Sequence, residues 1–343
     1  MKHRTFMWFI LPSLTAMVLF IALPIVSAFI QSFFVSHDQV LIETEVCGPF
    51  GCKQEVAVDF PATNQLNIEK PLGKFNGLKT YTNRNHLALE EVKLAWETSS
   101  SVFSFFSSLL NLPFYKALLF TLTYTFCVTP FAIIFGLFIA LGVNSLPQIL
   151  KGPTIFMSLL PMIVTPLVGA LILFWMIDAE GIIGATLQQV FDNDSLSLKA
   201  SKPLTWAMLI VYGVWGSVPF SFIVFYAGLQ TVPGDTLEAA MIDGASRWQR
   251  VWYVIIPHMM PLMVFITLIM LMDNFRVLEP IIGFSAQANA TSLSWIIFND
   301  LRAQDPPFFG SASATSMLTI IGVGILLIPM LIRTWRDFNS KTV

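Results

Sequence analysis

The sequence predicts an all-α polytopic membrane protein, a bundle of six transmembrane helices. Hydrophobic residues make up 55% of the chain and charged residues only 12%, whereas soluble domains carry about 25% charged residues. The mean hydropathy is +0.71. A helix needs about 20 mainly apolar residues to cross the hydrocarbon core, and six stretches meet that need. The net charge of -2 shows no basic excess, so nothing indicates a nucleic-acid partner.

The six apolar stretches set the predicted organisation of the chain. Several are broken by proline, which bundled helices tolerate because neighbouring groups satisfy the freed backbone. These prolines are Pro24, Pro130, Pro161, Pro166, Pro219 and Pro329. The predicted spans are Phe6–Phe34, Phe114–Val143, Ile155–Ile177, Leu204–Leu229, Met259–Phe284 and Ala312–Trp335. The predicted parts are residues 1–35 (tail and first span), 36–113 (an extended outer loop or cap), 114–335 (the core) and 336–343 (tail).

Lysine and arginine in the short connecting segments predict the orientation, because cytoplasmic loops carry an excess of them. Both termini are therefore expected in the cytoplasm. The inner side then holds Lys2, Arg4, Lys151, Arg247, Arg250, Arg333, Arg336 and Lys341, and the short outer loops hold Lys199, Lys202 and Arg302.

The first apolar stretch has an alternative interpretation as a cleaved signal peptide. Lys2 and Arg4 precede it, and Val26-Ser27-Ala28 resembles a cleavage site. Its apolar run is about twice the usual length of a signal core. We expect it to be retained as a span.

The cysteines divide by predicted compartment. Cys47 and Cys52 lie in Cys-Gly-Pro-Phe-Gly-Cys on the outer side, where thiols oxidise, so a small-loop disulfide is expected. A metal site would need more ligands, and His37 is the only histidine near them, so none is predicted. Cys127 in the second span is expected to be a small buried apolar residue.

A short segment between the fourth and fifth spans, within residues 232–258, carries the most specific pattern. Pro233 is expected to begin a helix, and Asp235 to Asp243 forms a short amphipathic stretch with acids near its ends. Gly244 permits a turn that a Cβ would hinder. The pattern predicts a helix-turn-helix on the inner face.

This segment resembles the EAA loop of permeases from binding-protein-dependent ABC importers. The family's fixed positions are matched by Glu238, Ala239, Ala240, Gly244, Val254, Ile256 and Pro257. The Asp243-Gly244-Ala245 version is similar to the sugar and polyol branch, the maltose-permease-like family. The resemblance extends over most of residues 75–335, although Gly184 stands where the family has an asparagine after Gly181-Ile182-Ile183.

The resemblance implies a type I importer permease fold and a function. The chain would be the permease subunit of an ATP-driven importer of a carbohydrate or polyol in the bacterial inner membrane. Its implied partners are a second homologous permease, two ATPase subunits, a periplasmic solute-binding protein and the lipid bilayer. The chain would be no enzyme and would bind no cofactor, because ATP and magnesium would belong to the ATPase chains.

The resemblance also implies roles for single residues of the loop, which would dock into a groove on the ATPase subunit. Glu238 would offer a charge to a basic partner, and Ala239 and Ala240 would allow close helix approach. Gly244 would make the turn, and Pro257 would stiffen the exit into the fifth span.

The sequence contains no recognised catalytic motif. The only Gly-Lys pair, Gly73-Lys74, is followed by Phe75 and so is not a Walker motif. The metalloprotease and serine-hydrolase patterns are absent as well. The alternatives that stay open are a different solute, such as glycerol phosphate, a polyamine or an amino acid, and an ion-coupled secondary transporter.

The first outer loop is longer than the family pattern requires. Residues 36–72 and 85–112 are the extra length, which ends in the Ser- and Phe-rich stretch Ser99–Leu110. A small extracytoplasmic cap or an interfacial helix fits this composition. A passive spacer on the bundle is the alternative.

Four polar residues near the end of the fifth predicted span are candidates for the substrate pathway, because ionisable groups at membrane depth usually face a cavity or a partner. They are Asp273, Asn274, Arg276 and Glu279. The two acids and the arginine are spaced i, i+3, i+6, which predicts one broad helix face. The alternative is a salt-bridge network that fixes this span against a partner permease.

Aromatic residues could add stacking surfaces for a sugar ring. The candidates are Trp206, Trp215, Phe225 and Tyr226, with Trp215 and Tyr226 as the principal ones. The alternative for each is an interface belt or ordinary packing.

Overall fold

The computed structural model describes residues 3–48, 51–193, 196–199, 201–303 and 307–340. The helices are α1 His3–Met17, α2 Leu23–Gln31, α3 Phe60–Glu69, α4 Lys79–Thr82, α5 Leu89–Thr98, α6 Val102–Leu109, α7 Pro113–Asn144, α8 Gln148–Ile163, α9 Pro166–Met176, α10 Ile182–Phe191, α11 Lys202–Leu229, α12 Gly234–Ile242, α13 Arg247–Arg250, α14 Ile256–Phe275, α15 Glu279–Gly283, α16 Leu293–Arg302 and α17 Phe309–Ser340. The strands are β1 Phe34–Val35, β2 Leu41–Gly48, β3 Gly51–Val58 and β4 Lys74–Phe75. The chain divides into two compact units, Met1–Tyr115 with Ile296–Ile320, and Lys116–Trp295 with Ile321–Val343.

Most predicted spans are helices of membrane-spanning length. Within the described residues these are Phe6–Gln31, Pro113–Asn144, Lys202–Leu229, Arg247–Phe275 and Phe309–Arg336. They confirm a polytopic, all-α membrane fold.

The third predicted span, Ile155–Ile177, is not one straight helix. It consists of α8 and α9, which meet at an angle of 92°. The backbones of Val164 and Thr165 are extended, with ψ angles of 125° and 140°. Pro166 explains the break, because the residue before a proline avoids the helical region. The interruption expected at Pro166 is thus a sharp break between two helices.

The fifth span ends earlier than its hydropathy suggested. α14 stops at Phe275, and Glu279 begins the separate short helix α15. Pro280 accounts for the interruption, because in a continued helix its ring would clash with the carbonyl of Arg276, four residues earlier, and it has no N–H to donate. The prediction that Asp273, Arg276 and Glu279 share one continuous helix face was therefore wrong.

Two π-helical turns lie just before prolines inside long helices. Val18–Ala22 precedes Pro24, and Val251–Ile255 precedes Pro257, by the same offset. In the second turn the N–H of Ile256 donates to the carbonyl of Val251, one residue further back than in an α-helix. A wide turn moves the carbonyl that the proline ring would meet. The helix consequently runs on from Arg247 to Phe275.

The outer segment of the first unit is folded. β1 pairs with β4, and β2 pairs with β3 in an antiparallel hairpin. The register sets Cys47 opposite Cys52, and Cα atoms of directly opposed residues lie within disulfide range. The side chains of both cysteines lie outside the described residues, so the disulfide stays a prediction.

A buried histidine joins two parts of the same unit. The His86 ring lies 2.7 Å from Asn83 Oδ1 and 3.1 Å from the carbonyl of Ser311, and Ser311 donates to Asp300. Burial lowers the pKa of His86 and raises the pKa of the Asp300 carboxyl. These contacts connect the loop before α5 to the start of α17.

The second unit has two apolar clusters. One gathers residues of α7, α9, α11 and α15 around Phe120, Leu209 and Ile281. The other surrounds Phe222, Met259 and neighbouring residues of α7, α11 and α14. Cys127 is half-buried, so the expectation of a buried position was too strong.

The departure from the family pattern at Gly184 has a packing explanation. A Cβ there would lie 1.8 Å from the carbonyl oxygen of Asp178. The backbone at the start of α10 therefore leaves no room for an asparagine in this chain.

Candidate functional site

The loop predicted from the motif forms a helix, a tight turn and a second helix. Pro233 caps α12, and Gly244 adopts a φ of +79°. The N–H of Ala245 donates to the carbonyl of Ala240 at 2.9 Å, and the N–H of Gly244 donates to that of Met241 at 3.1 Å. This pair of bonds is the Schellman motif, which places a residue in the left-handed region and favours glycine there.

The second helix of the loop begins with a reciprocal cap. Ser246 accepts from the backbone of Gln249, and the Gln249 side chain accepts from the N–H of Ser246. The two caps leave Asp243, Gly244 and Ala245 as the connection between α12 and α13. The predicted helix-turn-helix is therefore confirmed as a structure, in the register that the motif suggested.

The surface of this loop is left largely uncovered by the described residues of its own unit. α12 buries none of its residues, and 86% of Ile242 is exposed. Glu238 and Ala239 are exposed and Ala240 is half-buried. Exposed large apolar side chains of this kind mark a contact with another protein or with the membrane.

The loop also exposes aromatic side chains to which the sequence interpretation assigned no role. These are Trp248, Trp252 and Tyr253, each more than half exposed. Their position inside the motif, between Gly244 and Pro257, was the available signal. With Met241 and Ile242 they form what we call the loop surface.

The four polar pathway candidates line one cavity of about 240 Å³ in the second unit, which we call the Asp273 cavity. Arg276 Nη2 lies 2.8 Å from Asp273 Oδ1. Both side chains are more than half exposed, and exposed ion pairs contribute at most about 1 kcal/mol. Glu279 forms no ion pair within the described part of the chain, so one negative charge stays uncompensated at the cavity wall.

Asn274 differs from its charged neighbours because it is buried. Its Nδ2 donates to Thr129 Oγ1 at 3.0 Å, which joins α14 to α7. A buried amide needs such a partner. Asn274 therefore holds the helix that carries Asp273 in place.

The broken third span and α11 supply the rest of the cavity wall. Pro161 and Pro166 line it from the broken span, and Gly213, Gly216 and Ser217 line it from α11. A Cβ on Gly213 would lie 2.2 Å from the hydroxyl of Tyr124, so close packing of α11 against α7 depends on this glycine. The sequence interpretation missed these residues, although the spacing of the two glycines was a signal for one helix face.

The aromatic candidates do not join this cavity. Phe225 is fully buried in the second apolar cluster, which favours the packing alternative for it. Tyr226 packs against the same cluster. Trp215 lines a separate apolar groove with Val211, and Trp206 donates to the carbonyl of Asn289.

Comparison with known proteins gives consistent similarities. Residues 100–337 match the family model described as "Binding-protein-dependent transport system inner membrane component". The chain is 31% identical to the trehalose/maltose transport system permease protein MalF of Thermococcus litoralis over 38% of this chain and 46% of the relative. It is 30% identical to the probable ABC transporter permease protein YesP of Bacillus subtilis over 66% of this chain and 75% of the relative.

A solved structure has a similar fold. It is a bacterial ABC transporter involved in the import of the acidic polysaccharide alginate, with a TM-score of 0.59 and 17% identity. The likeness covers 80% of this chain and 95% of that one.

Proposed function

The chain belongs to the family of binding-protein-dependent transport system inner membrane components, and from this premise we propose that it is the permease subunit of an ATP-driven importer for a carbohydrate or polyol. The observation that carries the proposal is the loop surface beside a glycine-dependent turn. A helix that the described residues of its unit leave exposed fits a groove on a separate ATPase subunit. The chain is a multi-pass membrane protein and not an enzyme.

The proposed coupling path is mechanical. Motion of the ATPase subunits moves α12, and the fixed turn at Gly244 passes that motion to α13. The helix from Arg247 to Phe275 is continuous through its π turn. At about 1.5 Å per residue it carries the displacement roughly 40 Å, to the point where Arg276 and Asp273 line the cavity.

The proposed assembly contains a second homologous permease, two ATPase subunits that use ATP and magnesium, and a periplasmic solute-binding protein. Both termini lie in the cytoplasm in this proposal, and the membrane is the bacterial inner membrane. The cavity would face its counterpart on the second permease. The exposed side chains of Asp273 and Arg276, together with Glu279, are then available to that counterpart or to the solute.

The carbohydrate class is supported by the trehalose/maltose relative and by the alginate importer of similar fold. Glycerol phosphate or a polyamine is the alternative for the same type of complex. An ion-coupled secondary transporter is the alternative from another class, and it gives no role to the loop surface.

The test is to purify the chain with the subunits that accompany it and to measure ATPase activity. A solute-binding protein loaded from a panel of sugars, polyols and glycerol phosphate is added. Stimulation by a loaded sugar or polyol protein is the expected result. Stimulation by glycerol phosphate alone would contradict the solute class, and solute uptake driven by an ion gradient without ATPase would contradict the importer itself.

A further inference from the structure

The outer segment of the first unit contains a second cavity, of about 490 Å³. It lies between α3 and the residues at the start of α17, all within that unit. Small-molecule sites usually measure about 300–1,000 Å³. The cavity is thus large enough for a ligand of sugar size.

One face of α3 supplies much of its wall. Phe60, Thr63, Asn64 and Asn67 line the cavity, and residues three or four apart share a helix face. Gln65 lies off this face and donates to Glu69. The helix therefore presents an aromatic ring, a hydroxyl and two amides to one space.

The two amides have hydrogen-bonding capacity to spare. Within the described part of the chain neither the Asn64 nor the Asn67 side chain forms a hydrogen bond. Thr63 is different, because its hydroxyl accepts from Val40 and donates to the carbonyl of Asp59. Each free amide offers two donors and an acceptor.

Other lining residues bear on the charge of the site. Gln39, Lys70 and His37 line the cavity, and Phe309 adds a second aromatic ring. The His37 ring lies 3.1 Å from the carbonyl of Lys70. No acidic side chain is among the lining residues that the structure describes, and Lys70 forms no salt bridge within that part of the chain. Amides that face hydroxyl groups, with aromatic rings for the C–H faces of a ring, suit a saccharide, and the lysine accommodates an acidic one.

We propose that this cavity is a saccharide site on the outer part of the permease, separate from the Asp273 cavity. The inference rests on the proposed function for its ligand class. The family match begins at residue 100, whereas the α3 face, Gln39 and Lys70 all precede it. Most of the site therefore lies on the extended outer loop, and Phe309 contributes to it from within the matched region.

The test measures binding of maltotriose, trehalose and an alginate trisaccharide to the purified full complex by calorimetry. At least one probe is expected to bind. The double variant Asn64→Ala with Asn67→Ala should weaken that binding at least about tenfold, because two hydrogen-bonding groups are lost. Gln65→Ala is the matched control and should leave the affinity unchanged. Thermal unfolding of each variant checks that the outer segment stays folded.

Two results would overturn the proposed site. One is an absence of binding by all three probes at concentrations on the order of 10 mM, and the other is equal affinity in the double variant and the control. ATPase stimulation by a sugar-loaded binding protein is measured on the same samples. If a sugar-loaded binding protein stimulates the ATPase but no saccharide binds, the proposed site is contradicted and the proposed function is not. If no sugar-loaded protein stimulates the ATPase, the proposed function is contradicted.

Discussion

The loop surface and the Asp273 cavity differ in how their geometry arises. Every bond that shapes the loop joins residues within five positions of each other, from the Schellman pair at Ala240 and Ala245 to the cap at Ser246. The cavity instead collects residues from α7, α8, α9, α11, α14 and α15 and from the breaks beside them. A linear motif therefore describes the first region well, and the second depends on where separate helices end and meet.

The largest effect should come from the turn in the loop. Gly244→Val puts a β-branched residue at a φ of +79°, where a non-glycine residue costs about 1–2 kcal/mol or more. We expect the turn to rearrange and solute-stimulated ATPase activity to fall at least about tenfold, as measured on the reconstituted complex.

Gly234→Val is the matched control for this variant. Gly234 also has open space around its Cβ position, but it does not have a positive φ. Near-normal coupling in the control is expected. Normal coupling in both variants would show that the shape of the turn is unimportant.

The next largest effect is expected at the Asp273 cavity. Arg276→Ala removes the cation that pairs with Asp273 and leaves two acids without compensation at the wall. We expect uptake to fall several-fold while the assembled complex is still recovered by size-exclusion chromatography. Arg302→Ala, an exposed arginine on α16, is the control.

Loss of assembly in Arg276→Ala would favour the alternative of a structural network between the two permeases. Unchanged uptake with intact assembly would remove Arg276 from both interpretations.

These two regions also show how far the sequence could be interpreted. The motif predicted the helix, the glycine turn and the second helix of the loop, because local spacing determines all three. Hydropathy located the spans but not all their ends: proline was expected to interrupt several spans, but neither the sharpness of the break at Pro166 nor the early end before Pro280 follows from hydropathy. The sequence could not decide between stacking and packing for Phe225, because an aromatic residue in a span has the same composition signal whether it faces a cavity or the core.

The framework of the cavity gives a smaller effect. Gly213→Ala places a Cβ 2.2 Å from the Tyr124 hydroxyl, and such overpacking typically costs about 1–3 kcal/mol. Gly216→Ala, on the same helix with nothing near its Cβ, should be close to neutral. Thermal unfolding in detergent measures the difference. Equal melting temperatures would contradict close packing of α11 against α7.

The smallest effect lies outside both regions. Burial lowers the pKa of His86, so the unfolded chain takes up a proton before the folded chain does as the pH falls below about 6.5. The stability of the first unit should therefore decrease from pH 7 toward pH 5.5. Asp300, with a raised pKa, acts with the opposite sign at lower pH. His86→Gln should flatten the melting-temperature profile between these two pH values, and an unchanged profile would exclude the histidine as its cause.

Cross-linking from the loop surface to the ATPase subunit tests most directly whether the loop is the coupling element. In a background without the native cysteines, Ile242→Cys is compared with Ile149→Cys, which is on the same predicted side of the membrane and is equally exposed at 86%. We expect efficient cross-linking at position 242 that changes with bound ATP, and a much lower cross-linking yield at position 149. Equal yields at the two positions, or none at position 242, would contradict the assignment of the loop as the coupling element.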